Sequence, residues 1–300
     1  MPIVYIHGIS YRSDSPDSES SWQNIKKNLR KYIAPVISAN YEEVIIKQVY
    51  WGDIGVRFAW NGDSFRNRET LPDSSPLLKL FETQQHEDLS KELLSRALNL
   101  TGFGVTKAVD KVYLRQFVSE VITLWLGDIF VYLSHRGNFK NIGEIPSRIV
   151  EAMVDAKKNS VNQNEPLIVV SHSMGGQIVY DLVTHFLPNM PQYDNLKINF
   201  WCTCSSQVGL FEEMKVFLAS DLRYDSKQRV PFPSRQHLGY WWNVWDESDY
   251  ISFSAKDIFE GIDDYSYNSG APAISAHFAV MEQPSFFVKF AEVLRSNFNL

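Results

Sequence analysis

Two serines flank a histidine where an apolar run ends, in the segment "LIVVSHSMGG" of residues 167–176. The segment "QIVYDLVTHF" follows with the pattern of a helix, so Ser173 lies at a predicted strand-to-helix turn. A serine in such a turn can act as a nucleophile, and small residues are needed two positions before and after it because backbone segments crowd there. Ser171 and Gly175 meet that need, with Ser171 in place of the more usual glycine. The alternative is an ordinary polar turn at the start of a helix.

A nucleophilic serine requires a base, and the base requires an acid that orients it. For a serine in this kind of turn, the acid and the histidine follow it in the chain. That order leaves His237 and His277 as candidate bases. His237 precedes the strand that is expected to provide the acid, whereas His277 lies in a predicted loop just before the last helix. Chain order therefore favours His277.

The candidate acids follow a predicted strand in "GYWWNVWDESDYIS", at Asp246, Glu247 and Asp249. The carboxyl ends of parallel strands are where a sheet presents functional side chains. Asp249, followed by Tyr250 and Ile251, has the D-x-[IV] form that is typical of the acid. Asp246 is expected to cap or brace the loop instead. We predict Asp249 as the acid and keep Asp246 as the alternative.

Attack on a carbonyl group also requires N–H donors for the oxyanion that develops. One donor is expected from the backbone of Met174, directly after the serine. The other is expected from the loop after the first strand, where "YIHGIS" provides the N–H of Ile9 or, less favourably, of Ser10. Beside such a turn, His7 is interpreted as the residue that marks this loop.

Apolar segments alternate between strand and helix patterns over most of the chain. Strands are predicted at residues 2–6, in "EEVIIKQVYW", at 167–171, 197–204 and 239–245, and helices at 145–158, 175–187, about 209–220 and 284–297. This order predicts an α/β fold with a mainly parallel sheet covered by helices on both faces. Residues 52–140 break the alternation, so we expect a core of residues 1–51 and 141–300 with a cap inserted between them.

The segment 116–134 of this cap, "QFVSEVITLWLGDIFVYLS", is nearly long enough to span a membrane, but Glu120 and Asp128 interrupt it. A buried or lid-forming helix is the better interpretation. Leu124 and Trp125 are expected to contact substrate from this helix, because its faces are more apolar than solubility requires. The alternative is that these side chains pack inward against the sheet.

Net charge and cysteine content indicate which binding partners and which cellular compartment to expect for this chain. The 300-residue chain has a formal net charge of −6 and no basic cluster, which argues against nucleic acid. Cys202 and Cys204 fall on one face of a predicted strand and are interpreted as small core residues, not as a disulfide or a zinc site. The chain opens on a strand without the pattern of a signal peptide, so we expect a reducing, cytoplasmic setting.

Together these segments resemble the α/β-hydrolase superfamily over residues 1–51 and 143–300. Within it, "GDIFVYL", the serine turn and "TCSSQVGLF" are similar to the lipase and esterase branch. The resemblance implies an α/β-hydrolase fold, a helical cap over residues 52–140, and a serine hydrolase without metal or organic cofactor.

The expected substrate is a small-molecule or lipid ester with an apolar acyl group, and membrane contact without spanning is compatible with it. An acyltransferase that uses the same residues, or a binding protein on a hydrolase scaffold, remains an alternative.

Overall fold

The computed structural model describes residues 1–8, 16–60, 63, 108–162, 164–271 and 273–300. Its strands are β1 (Ile3–Ile6), β2 (Ile46–Val49), β3 (Gly137–Asn138), β4 (Asn141–Ile142), β5 (Leu167–His172), β6 (Ile198–Cys204), β7 (Leu238–Asp246) and β8 (Asp263–Tyr267). Six of them form one sheet in the order β2-β1-β5-β6-β7-β8, and every neighbouring pair is parallel. Strands β3 and β4 form a short antiparallel pair. The predicted α/β fold with a mainly parallel sheet is confirmed.

The described helices are α1 (Pro16–Asn28), α2 (Ala34–Ile37), α3 (Ala108–His135), α4 (Glu144–Lys158), α5 (Met174–Asp181), α6 (Val208–Glu213), α7 (Ala273–Ala279) and α8 (Pro284–Phe298). Helices α4 and α8 match their predicted bounds within one residue. The helix predicted to end near residue 220 is shorter, because α6 ends at Glu213. Lys215 there adopts a left-handed φ of 55°, and the N–H of Val216 bonds back to the carbonyl of Phe211. Such a reversal terminates a helix.

The sheet separates two apolar clusters. Successive side chains of a strand point to opposite faces, and β1 shows this: Ile3 and Tyr5 pack with α1, α2 and α8, whereas Val4 and Ile6 pack with α4 and α5. Cys202 and Cys204 both lie in the cluster on the side of α1, α2 and α8, where they are buried and free. Their interpretation as small core residues is confirmed.

The described end of the predicted cap packs on the domain core. Ile129 and Tyr132 of α3 are buried in the same cluster as α4 and α5. The buried carboxylate of Asp128 accepts the N–H of Val56 at 2.7 Å. Residues 61, 62 and 64–107 of the cap lie outside the described residues. Among the helices that are described, none has both the length and the apolar character needed to cross a bilayer.

A buried ion pair joins α3 to α5. The side chain of Asp181 is fully buried, and its Oδ2 accepts hydrogen bonds from the Tyr132 hydroxyl at 2.8 Å and the Arg136 guanidinium at 2.7 Å. Its Oδ1 accepts the N–H of Leu218 at 3.0 Å. Burial raises the pKa of Asp181 above its ordinary value while Arg136 and the hydrogen bonds oppose that rise. Hydrogen-bond donors therefore stabilise the buried carboxylate of Asp181, and Tyr132 and Arg136 in turn use this carboxylate as their acceptor.

We expect Asp181→Ala to lower the free energy of unfolding by about 3–5 kcal/mol, because it leaves the buried Tyr132 hydroxyl without its acceptor and the partly buried Arg136 guanidinium without its carboxylate. Equilibrium urea unfolding measures this. The matched control is Asp155→Ala, which removes an exposed ion pair with Lys47 and should leave the unfolding midpoint nearly unchanged. Equal losses for the two variants would contradict the assignment.

Candidate active site

Ser173 occupies the sharp turn between β5 and α5. Its backbone has φ 52° and ψ −127°, a combination that residues with side chains rarely adopt and that costs on the order of 1–3 kcal/mol. The N–H of Ser173 donates to the carbonyl of Cys204 at 2.9 Å, and its own carbonyl accepts the N–H of Gly176 at 2.9 Å. These bonds hold the serine at the carboxyl end of the sheet.

Two glycines make room for this turn. A Cβ atom on Gly8 would lie 2.6 Å from the Cβ of Ser173, and one on Gly175 would lie 2.7 Å from the carbonyl oxygen of Ile6. Real Cβ atoms do not approach so closely, so any larger residue at either position displaces the backbone. The expectation of a small residue two positions after Ser173 agrees with this geometry. Gly8 adds a second requirement, because the chain leaving β1 passes directly over the serine.

His277 and Asp249 form a buried pair. The Nδ1 of His277 donates to Asp249 Oδ2 at 2.8 Å, and only 1% of His277 and 4% of Asp249 is exposed. The other carboxylate oxygen, Oδ1, accepts the N–H of Ile251 at 3.0 Å. Donation from Nδ1 leaves Nε2 as the ring's acceptor. The pair can therefore take up a proton at Nε2 and stabilise the resulting charge.

Asp246 has a different environment. One of its oxygens accepts the N–H of Ser248 and the other accepts the N–H of Ser269, both at 2.8 Å. These bonds brace two loops, which is the role expected for this residue. The structure thus brings Asp249 together with His277, whereas Asp246 accepts hydrogen bonds from backbone N–H groups.

Ser173 Oγ and His277 Nε2 are two buried polar atoms that the described residues leave unpaired. Neither Ser173 Oγ nor His277 Nε2 has a hydrogen-bond partner within the described part of the chain, and they are not bonded to each other. Buried polar atoms are normally paired, so each of these two unpaired atoms needs a reason. Catalytic hydrogen bonds are often long before substrate binds. An unpaired hydroxyl and an unpaired imidazole nitrogen are what a nucleophile and its base require.

His172 connects these two residues. It directly precedes Ser173, and its Nε2 donates to the backbone carbonyl of His277 at 2.7 Å. The two imidazole rings lie 4.9 Å apart between centroids. Burial lowers the pKa of His172 to about 3, and the nearby His277 adds to the effect. His172 is therefore neutral near pH 7.

His237, the other candidate base, lies at the opposite end of the sheet. It directly precedes β7, and its Nδ1 bonds to the carbonyl of Leu196 at 3.0 Å, close to the start of β6. Since the strands are parallel, their starts and their ends lie at opposite sheet ends. The structure places His237 far from the turn that holds Ser173.

Of the expected oxyanion donors, Met174 is the first residue of α5. An N–H at this helix position has no carbonyl acceptor one turn back. Ile9 and Ser10 lie outside the described residues. His7, before them, is packed against Trp51 with ring centroids 5.2 Å apart. Its Nε2 accepts the backbone N–H of Trp51 at 3.0 Å. Its Nδ1 bonds to the carbonyl of Gly8 at 2.6 Å, so this ring fixes the start of the loop.

The two predicted substrate-binding residues are partly buried. Trp125 packs against the core cluster, which agrees with the alternative of inward packing, although its indole nitrogen is buried without a partner among the described residues. Leu124 is also partly buried. Contact with substrate stays a prediction for both residues.

Sequence reasoning missed Phe278 and Gln207. Phe278 is 48% exposed, and its ring stands edge-on to His277 at a centroid distance of 5.2 Å. Gln207 is buried and donates to the carbonyl of Ile251, in the loop that contains Asp249. Its side-chain oxygen accepts from Gln177 of α5 at 2.6 Å. The aromatic residue directly after the candidate base was a local signal. Gln207 had none, because its contacts are distant in sequence.

Within the described residues, no group of three or more His, Cys, Asp or Glu side chains is arranged to hold a metal ion. No known protein-family model matches this chain, and no curated protein is significantly similar to it in sequence.

The depressed pKa of His172 predicts how stability depends on pH. The unfolded residue titrates near 6.5 and the folded one near 3, so only the unfolded chain binds this proton between those values. This contribution to stability is full above pH 6.5 and is lost as pH falls toward 3. In His172→Phe, the loss of unfolding free energy between pH 7 and 5 should be about 2 kcal/mol smaller than in wild type. Urea unfolding at both pH values measures it, and an identical loss would contradict the buried neutral state.

Proposed function

We propose that this chain is a serine hydrolase of the α/β-hydrolase type that cleaves a carboxylic ester through an acyl-enzyme. The observation on which this rests is that Ser173 Oγ and His277 Nε2 are both buried and unpaired while Asp249 holds the other nitrogen of the same ring. The strained turn at Ser173 and the loops after β5 and β7 at one end of a parallel sheet support it. The hydroxyl of Ser205, directly after β6, is also buried without a partner among the described residues, but Ser173 is the serine that directly follows His172, whose ring bonds to the backbone of His277.

In the first half of the proposed reaction, Ser173 Oγ attacks the ester carbonyl and its proton passes to His277 Nε2. Asp249 stabilises the imidazolium through Nδ1. The N–H of Met174, with that of Ile9 as proposed partner, stabilises the oxyanion, and one such donor contributes about 3 kcal/mol. The C–O bond then breaks, and His277 gives its proton to the leaving alcohol.

In the second half, His277 Nε2 takes a proton from water, and the hydroxide attacks the acyl-enzyme carbonyl. The same N–H donors stabilise the second tetrahedral intermediate. Its collapse breaks the bond to Ser173 Oγ, which recovers its proton from His277. The products are a carboxylic acid and an alcohol, and the chain returns to its starting state.

An apolar group on the substrate is supported by Phe278. A half-exposed phenyl ring beside the proposed base offers apolar contact area next to His277. A reducing compartment such as the cytoplasm is proposed as the setting, since the two cysteines are free and buried.

Ser173→Ala should abolish covalent labelling by a fluorophosphonate probe and lower the turnover of p-nitrophenyl esters at least about a thousandfold. The reason is that only binding and oxyanion stabilisation remain without the nucleophile. Ser171→Ala is the control, because Ser171 is buried and its Oγ already accepts the Trp201 indole N–H at 2.8 Å. Full labelling of the Ser173→Ala protein would rule out this nucleophile. Labelling of wild type without hydrolysis would instead favour an acyltransferase, and the absence of both would favour a binding protein.

Asp249→Asn should reduce kcat about 10⁴-fold, because an amide in place of the carboxylate stabilises the wrong tautomer of His277. Asp246→Asn removes a carboxylate of the same neighbourhood that binds only backbone N–H groups, so its kcat should stay within about tenfold of wild type. Steady-state kinetics on the two variants, with circular dichroism to verify folding, decides between them. A folded Asp246→Asn protein with the larger loss would make Asp246 the acid.

A further inference from the structure

We propose that His172 is a positioning residue, whose imidazole holds the backbone of His277 so that the base stays between Asp249 and Ser173. The catalytic part of this inference rests on the proposed function. The hydrogen bond that carries it runs from His172 Nε2 to the His277 carbonyl at 2.7 Å and is buried. It joins residues 105 positions apart in the chain.

The two bonds to His277 act on different parts of the residue. Asp249 binds the ring at Nδ1, which sets its tautomer and rotation. His172 binds the main-chain carbonyl, which sets where the ring is attached. A side-chain bond alone leaves the backbone free to shift, and a misplacement of about 1 Å can cost about a hundredfold in rate.

Few of the side chains that the structure describes just before His277 anchor the segment that carries the base. Helix α7 has seven residues, and Ala276 is the described buried apolar side chain within it. An alanine buries little area and adds little stabilisation. Val280 and Met281, which follow α7, are buried in the core and anchor the far side of the segment. The bond from His172 secures the side on which His277 lies.

Strand alternation explains why the residue before the serine can reach α7. His172 shares a face of β5 with Val170, which packs in the same cluster as Val280 and Met281. Ser171 points to the other face, where its Oγ accepts from Trp201. The residue between the two serines is therefore directed toward the segment that carries the base.

The chemistry of His172 suits a fixed donor beside a group that becomes charged. Its ring is buried and neutral, so Nε2 keeps its proton and donates throughout the reaction. A permanently cationic side chain here would oppose formation of the His277 imidazolium. A neutral ring does not.

The test compares His172→Phe, which keeps the ring volume and lacks the donor, with His172→Gln, which keeps an N–H donor. The proton NMR resonance of the His277 N–H that bonds to Asp249, assigned by its loss in Asp249→Asn, reports the base geometry without turnover. In His172→Phe we expect this resonance to disappear or broaden and kcat for a short p-nitrophenyl ester to fall about 10–100-fold, with KM within about twofold. His172→Gln should restore the resonance and recover kcat to within about fivefold of wild type.

His237→Phe is the matched control. It removes another buried imidazole that bonds to a backbone carbonyl, at 3.0 Å, but at the opposite end of the sheet. In this variant the His277 N–H resonance and kcat should equal those of wild type. That result would separate positioning of His277 from the general loss of a buried hydrogen bond.

An unchanged resonance in His172→Phe would overturn the proposal, as would a His172→Gln protein as impaired as His172→Phe. Wild-type protein that neither hydrolyses esters nor reacts with the fluorophosphonate probe would refute the proposed function instead. The resonance comparison would still decide whether His172 holds His277.

Discussion

The backbone of Ser173 is the constraint on which the arrangement of this end of the sheet depends. Its left-handed φ is tolerated because β6 accepts its N–H and because the neighbouring chain has no side chain where the turn is tightest. Gly8 must then follow β1, and β1 must lie beside β5, for the two segments to meet as they do. The strain, on the order of 1–3 kcal/mol, persists only because the packed sheet determines the turn from several sides. The backbone conformation of Ser173 thus requires that the segment after β1, with Gly8, faces the serine.

The loop that contains Asp249 is held by a separate set of polar contacts. Asp264 of β8 accepts the Trp245 indole N–H at 2.7 Å and the N–H of Ala255 at 2.8 Å, and so closes the loop that contains Asp249. Gln207 ties the same loop to the start of α6 and to α5. Neither contact includes Ser173 Oγ or His277 Nε2. The cost of leaving these two atoms unpaired is offset by hydrogen bonds elsewhere in the surrounding network.

Local patterns in the sequence predicted most of the sheet and selected the histidine and aspartate that the structure pairs, since strand period and residue order need only neighbouring residues. What they missed depends on contacts between distant segments. Strand β8, Asp263–Tyr267, carries two aspartates and is largely exposed, so no apolar alternation marks it. The end of α6 depends on the left-handed conformation of Lys215. The bond from His172 to α7 depends on where the helix lies.

Hydrogen-bond partners distinguish the three histidines near this end of the sheet more sharply than chain order does. His7 uses Nε2 to accept the Trp51 N–H, so that nitrogen has no lone pair left for a substrate proton. His172 donates from Nε2 to a carbonyl and is buried without a carboxylate bonded to it, so protonation is strongly opposed. His277 has a carboxylate at Nδ1 and an unpaired Nε2. Of these three rings, it is the one that combines a carboxylate on one nitrogen with an unpaired acceptor nitrogen among the described residues, and this asymmetry supports the proposed base independently of the order of the residues in the chain.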